Sequence, residues 1–106
     1  MNAFNKYRNT ITVVDDIRFH SKKEANRYRE LTMLRNSKFI SDLILQPKFK
    51  IILNEKFICT YTADFAYYDH KLGTIIYEDV KGYRTQVYKL KKKLTEAQYN
   101  VTIHEI

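Results

Sequence analysis

Two segments of this chain repeat apolar residues at helical spacing, and the rest alternates in the shorter rhythm of strands. In the first, Ala25, Tyr28, Leu31 and Leu34 recur every three residues, and Ser21 followed three positions later by Glu24 forms a capping box. The pattern predicts a helix from about Lys22 to Asn36, whose other face carries Lys22, Lys23, Arg27, Arg29 and Arg35. After Gly82, Val87, Leu90, Leu94 and Ala97 make a second stripe, with Lys89, Lys91, Lys92 and Lys93 around the remaining circumference. A second, strongly basic helix with that stripe turned inward follows.

Around these helices lie β-prone runs. Ile11 to Val14 and Ile17 to Phe19 flank Asp15-Asp16 and read as an edge hairpin with a tight acidic turn. Leu43 to Leu45 and Phe49 to Leu53 flank Gln46-Pro47, where proline suits a strand start or an edge, and Asn54-Glu55-Lys56 turns the chain. Phe57 to Tyr68 and Thr74 to Lys81 form the central hairpin, joined by a loop ending in Gly73, and Val101, Ile103 and Ile106 make a last strand. The predicted order is ββ-α-ββββ-α-β, an α+β fold with a mixed sheet flanked by helices.

Composition narrows what such a fold does. A length of 106 residues with 44% apolar residues, nine Tyr and six Phe suits one domain over 1–106 with a core that needs no staples. The single Cys59 has no internal partner and fits a reducing cytoplasm; no apolar stretch approaches the roughly 20 residues of a membrane helix, and Met1 to Asn9 lacks the apolar segment of a secretion signal. A formal charge of +7 directs attention to a polyanionic partner, nucleic acid first, rather than a membrane or a small-molecule substrate. His20, His70 and His104 are scattered, with no zinc-like spacing.

Strand parity picks out the chemistry. In Glu78-Asp79-Val80-Lys81, Asp79 and Lys81 share one face and Glu78 and Val80 the other. Asp64 interrupts the apolar run around Ala63 and Phe65, and such a carboxylate needs a cation to offset its desolvation. A four-residue loop pairing Asp69 with Thr74 sets Asp64 opposite Asp79, the register preferred here, whereas a five-residue loop sets it opposite Glu78. Two facing carboxylates repel unless they share a proton or a metal, and hard oxygens at this spacing suit Mg²⁺ or Mn²⁺. On spacing alone, Lys81 is better explained as a surface ion-pair partner of Asp79.

Asp64, with Glu78-Asp79-Val80-Lys81-Gly82 after a hairpin, resembles the signature of the PD-(D/E)XK nuclease superfamily. Phe19-His20-Ser21-Lys22-Lys23-Glu24-Ala25-Asn26-Arg27-Tyr28 and Gln46-Pro47 extend the match to small phage and prophage members, and the chain is similar to the end-cutting transposase subunit of Tn7-type elements. Ala63 stands where the superfamily name has proline. The resemblance implies a restriction-endonuclease-like αβββαβ core behind an N-terminal hairpin. It implies one or two Mg²⁺ or Mn²⁺ ions held by Asp64, Asp79, Glu24 and the Val80 carbonyl, with Lys81 acting on the attacking water. Glu24 has a second reading as part of the capping box alone.

The activity implied is hydrolysis of DNA in a phage or prophage setting, on branched or structured DNA of the Holliday-junction kind, in recombination or packaging. A homodimer would present two sites to two strands. Thr85, Tyr88, Lys89 and Lys92, with Arg84, Lys23 and Arg27, are the expected DNA contacts. Two other classes stay open: a non-catalytic DNA-binding protein on this scaffold, and an adaptor that docks through the edge hairpin.

Overall fold

The computed structural model describes residues 10–106, so the Met1 to Asn9 stretch, on which the expectation of no secretion signal partly rested, lies outside the described residues. β1 (Thr12–Val14) and β2 (Ile17–Phe19) pair as an antiparallel hairpin, with Asp15 and Asp16 at φ of 53° and 63°. Two consecutive left-handed residues make the turn that matches strand twist, and aspartate tolerates it better than most residues because its short side chain bonds locally. α1 (Lys22–Asn36) begins at the capping box, where the Glu24 N–H donates to Ser21 Oγ at 3.1 Å. It ends in a Schellman motif: the N–H groups of Lys38 and Phe39 donate to the carbonyls of Arg35 and Leu34, with Lys38 at φ 67°.

The central sheet has the order β3-β6-β7-β8. β3 (Ile40–Leu45), β6 (Phe65–Asp69) and β7 (Thr74–Asp79) are antiparallel neighbours, while β8 (Ile103–Glu105) runs parallel to β7 and is reached through α2 (Gln86–Tyr99). The fold is α+β with a mixed sheet, and α1-β3-β6-β7-α2-β8 is the αβββαβ order expected. Between β3 and β6 stands a separate hairpin, β4 (Lys48–Leu53) and β5 (Lys56–Thr62), turned by Asn54 and Glu55 at φ of 51° and 65°.

Five strands, not four, therefore lie between the helices. The run from Phe57 to Tyr68 reads as one strand but is two: it pairs with β4 up to Thr62, then with β3 and β7 from Phe65. The exchange is pinned at the break, where Ala63 N–H donates to the Pro47 carbonyl (3.0 Å) and Gln46 N–H to the Asp64 carbonyl (2.9 Å). The N–H groups of Gln46, Ala63 and Asp64 all keep partners there, so the chain changes sheets without orphaning these donors.

The break also divides two cores. On one side α1 packs Ala25, Tyr28 and Leu31 against Phe19, Ile40, Phe65 and Tyr67. On the other, Phe49, Ile51, Tyr61, Ala63 and Ile103 gather with Tyr77, Tyr88 and Leu94, and the Phe49 ring meets Tyr77 and Tyr99 edge-on at 5.1 Å each. At about 2 kcal/mol for each large side chain removed from water, these clusters account for how so short a chain holds two layers around its sheet.

The inward face of α2 differs from the predicted stripe. Val87 and Leu90 are 63% and 58% exposed, whereas Thr95 is fully buried and Tyr88 and Leu94 join the core. The helix is oriented by polar contacts with the β4–β5 hairpin: Lys91 Nζ donates to the Thr60 carbonyl, and the Gln98 amide bridges Ile52 N–H (2.9 Å) and the Lys50 carbonyl (3.0 Å). Burying Thr95 is cheap because its hydroxyl donates to the Lys91 carbonyl at 2.8 Å. Among the described residues no helix is long and apolar enough to cross a membrane.

Candidate active site

The hairpin register brings the two aspartates together. Asp69 pairs with Thr74 and Phe65 with Glu78, the four-residue loop of the two alternatives, so the next step outward sets Asp64 against Asp79. The turn enforces it: Asp69 Oδ1 accepts the N–H groups of Lys71 and Leu72 at 2.9 Å each, and Gly73 takes φ 69°, which most residues avoid. Beyond Phe65 the ladder gives way to carboxylates. Asp64 N–H donates to the Glu78 carbonyl (3.0 Å) and to Asp79 Oδ1 (3.1 Å), and Val80 N–H donates to Asp64 Oδ2 (2.7 Å). Each carboxylate is thus held by the other strand's backbone.

Asp79 is 0% exposed, and its Oδ2 is buried with no hydrogen-bond partner. Burial pushes its carboxyl up to about 6, against the opposing pull of Lys81, the Asp64 N–H and Tyr88. Lys81 Nζ lies 3.9 Å from Asp79 Oδ1, in ion-pair range but too far for a hydrogen bond, and its side chain is 27% exposed. The ammonium also sits over the Tyr88 ring, 4.8 Å from its centroid. The Tyr88 hydroxyl donates to Glu105 Oε2 at 2.8 Å, and Glu105 Oε1 accepts from Arg84 Nε at 3.0 Å. That hydroxyl, then Arg84, holds the Glu105 carboxyl below its ordinary value.

Glu24 meets both the helix cap and Asp64. Its backbone closes the helix cap, while its half-buried carboxyl lies within hydrogen-bonding reach of Asp64. Burial first, then the charge of Asp64 and that hydrogen bond, push Glu24 up to about 7.

The donor set is that of a hard divalent cation: carboxylate oxygens only, one of them buried without a partner. Among the described residues, however, no three His, Cys, Asp or Glu side chains converge as a ligand group. Asp64 and Asp79 form the pair, and Glu24 touches Asp64 from outside. Val80 enters through its N–H to Asp64.

The predicted DNA contacts divide. Lys23 and Lys89 are exposed on α1 and α2. Arg27 is instead engaged with Glu78 and Glu30, because Glu78 is buried on the α1 side of β7 and needs a cation. Arg84 pairs with Glu105, and Lys92 reaches Glu96 at 3.6 Å. Thr85 caps α2, accepting Tyr88 N–H at 3.0 Å, and Tyr88 belongs with Lys81 and Glu105 rather than on an open face. The site residues missed from sequence are Glu105, which arrives through parallel pairing of β8 with β7, and Glu78 as the partner of Arg27. Neither pairing leaves a local signal.

Set against known proteins, the chain matches the family described as "Protein of unknown function (DUF1064)" over residues 4–105. No curated protein and no solved structure matches it.

Proposed function

We propose that this chain, which belongs to the DUF1064 family, is a divalent-metal-dependent DNA endonuclease centred on Asp64, Asp79 and Lys81. The observation that carries the reading is Asp79 Oδ2, a buried carboxylate oxygen without a partner, beside Lys81 and across from Asp64. Fully buried acids are normally satisfied by hydrogen bonds, and one left open next to a second acid and a lysine has the form of a metal-binding and hydrolytic centre. The resemblance to PD-(D/E)XK nucleases supports the same three residues.

In this reading Asp64 and Asp79 hold Mg²⁺ or Mn²⁺, with waters and phosphate oxygens completing the shell. The metal, when bound, offsets charge on the phosphate and acidifies water. Lys81 holds its ammonium where the attacking water or a non-bridging phosphate oxygen lies, steadied by the Tyr88 ring. Glu24, titrating near 7, takes or returns a proton beside Asp64.

The basic α2 surface of Lys89 and Lys93, with the exposed Lys23, supplies phosphate contacts that the net charge of +7 favours. With little surface for reading bases, the substrate is DNA of particular shape, such as a junction, cut by a homodimer in the cytoplasm. Incubation with linear, single-stranded, flap and four-way-junction DNA, in Mg²⁺, Mn²⁺ or chelator, beside Asp79→Ala, tests this. Cutting that needs metal and is lost in Asp79→Ala supports it; cutting that survives the chelator or the substitution sinks the mechanism.

A further inference from the structure

Arg27 and Glu78 form the most deeply buried ion pair among the described residues. Arg27 Nη2 and Nε donate to the two Glu78 carboxylate oxygens at 2.6 and 2.8 Å, and Tyr67 donates its hydroxyl to Oε2. Glu78 is 2% exposed. A buried pair of this kind adds little net stability over apolar residues of the same shape, because desolvation offsets the attraction. What a two-pronged Arg–carboxylate contact does supply is a fixed distance and angle between the elements that carry it.

Those elements carry the candidate site. Arg27 stands three residues after Glu24 on α1, the spacing that puts both on one side of the helix. Glu78 precedes Asp79 on β7, and its carbonyl accepts the Asp64 N–H at 3.0 Å. All three acids thus lie within a helical turn or one hydrogen bond of the pair.

We infer that Arg27–Glu78 is a positioning clamp, locking α1 to β7 so that the Glu24 carboxyl stays against Asp64. This rests on the reading of those acids as one centre. The Glu24 cap alone fixes where the helix starts; the clamp fixes how far that start stands from the sheet. Both clamp residues act through others and touch no substrate.

The test uses the full chain as Arg27→Met/Glu78→Gln, which removes both charges, leaves Tyr67 an acceptor, and should keep the melting temperature within a few degrees. Arg27→Lys, which keeps the charge and loses the fork, guards against a double variant that fails to fold. Without metal, NOEs between the Glu24 γ protons and the Asp64 β protons should be present in the wild type, weakened in Arg27→Lys and lost in the double variant. Mn²⁺ affinity by calorimetry should fall about tenfold or more, with kcat falling and KM nearly unchanged, because outer partners of a metal centre act through ligand placement. Retained NOEs and unchanged affinity overturn the clamp. If the wild type shows no Mn²⁺ binding that Asp79→Asn removes, the nuclease reading fails instead, and the metal-free NOEs still decide the clamp.

Discussion

Glu78 and Asp79 are neighbours on one strand, both buried, yet they end in opposite states. Glu78 points to the α1 side and has every oxygen engaged, by Arg27 and Tyr67. Asp79 points to the other side, with a lysine at 3.9 Å and an oxygen that nothing satisfies. A protein this small has little stability to spare, so a buried acid is either satisfied or retained for another purpose. The satisfied acid serves architecture; the unsatisfied one marks the place where chemistry is possible.

Substituting each acid by its amide should split the two roles. Asp79→Asn is expected to lower cleavage at least a hundredfold, measured in Mg²⁺ on whichever DNA the wild type cuts, while leaving a folded protein. Glu78→Gln strands the Arg27 charge, and is expected to destabilise by about 3 kcal/mol in urea unfolding with a smaller loss of rate. Equal loss of activity in both, or a large stability cost at Asp79, would erase the distinction.

Acidity sharpens it further. Asp79 and Glu24 titrate at about 6 and about 7 when folded, against ordinary values of 3.8 and 4.5. The folded chain therefore keeps protons that the unfolded chain has released. The resulting stability is fully present below about pH 4 and is lost as pH rises to about 7. Urea titrations of the chelator-treated protein should show this decline, and Asp79→Asn should remove much of it, gaining about 1–2 kcal/mol at pH 7.5 over the wild type. A flat profile in the wild type would show that the Asp79 carboxyl is satisfied in solution.

Why one acid was legible from sequence and the other was not follows from where their partners lie. Asp79 and Lys81 sit two apart on a strand, Asp64 is reached through a hairpin whose turn residues set the register, and α1 announces its start in Ser21 and Glu24. All of these are local. Arg27 and Glu78 are 51 positions apart, and Glu105 joins through a parallel crossover, so nothing nearby marks them. The break at Ala63-Asp64 was hidden because β5 and β6 share one apolar rhythm and differ only in which strands they pair with. On α2 only Leu94 of the predicted stripe joins the core, because Gln98 and Lys91 dock on hairpin backbone and leave Val87, Leu90 and Ala97 exposed.

Tyr88 joins two roles in one side chain, its ring under Lys81 and its hydroxyl on Glu105. Tyr88→Phe keeps the ring and should cost activity only about threefold, whereas Tyr88→Leu, which loses the hydroxyl and the ring, should cost about fifteenfold, the further factor of about five matching about 1 kcal/mol for a cation over an aromatic face. Equal losses would assign the effect to the hydroxyl and Glu105.

The smallest effect separates substrate grip from the acids altogether. Lys89 is exposed and lies outside the network around Asp79. If it contacts a phosphate, Lys89→Ala should weaken DNA binding a few-fold, alike on all sequences, and should reduce the slope of log affinity against log salt by about one. Arg27→Met/Glu78→Gln, which removes the Arg27 cation together with its partner, should leave that slope alone in the same binding assay, because the cation faces Glu78. A slope change at Arg27 and none at Lys89 would mean that DNA approaches across α1, and that the charge holding Glu78 is also exposed to the substrate.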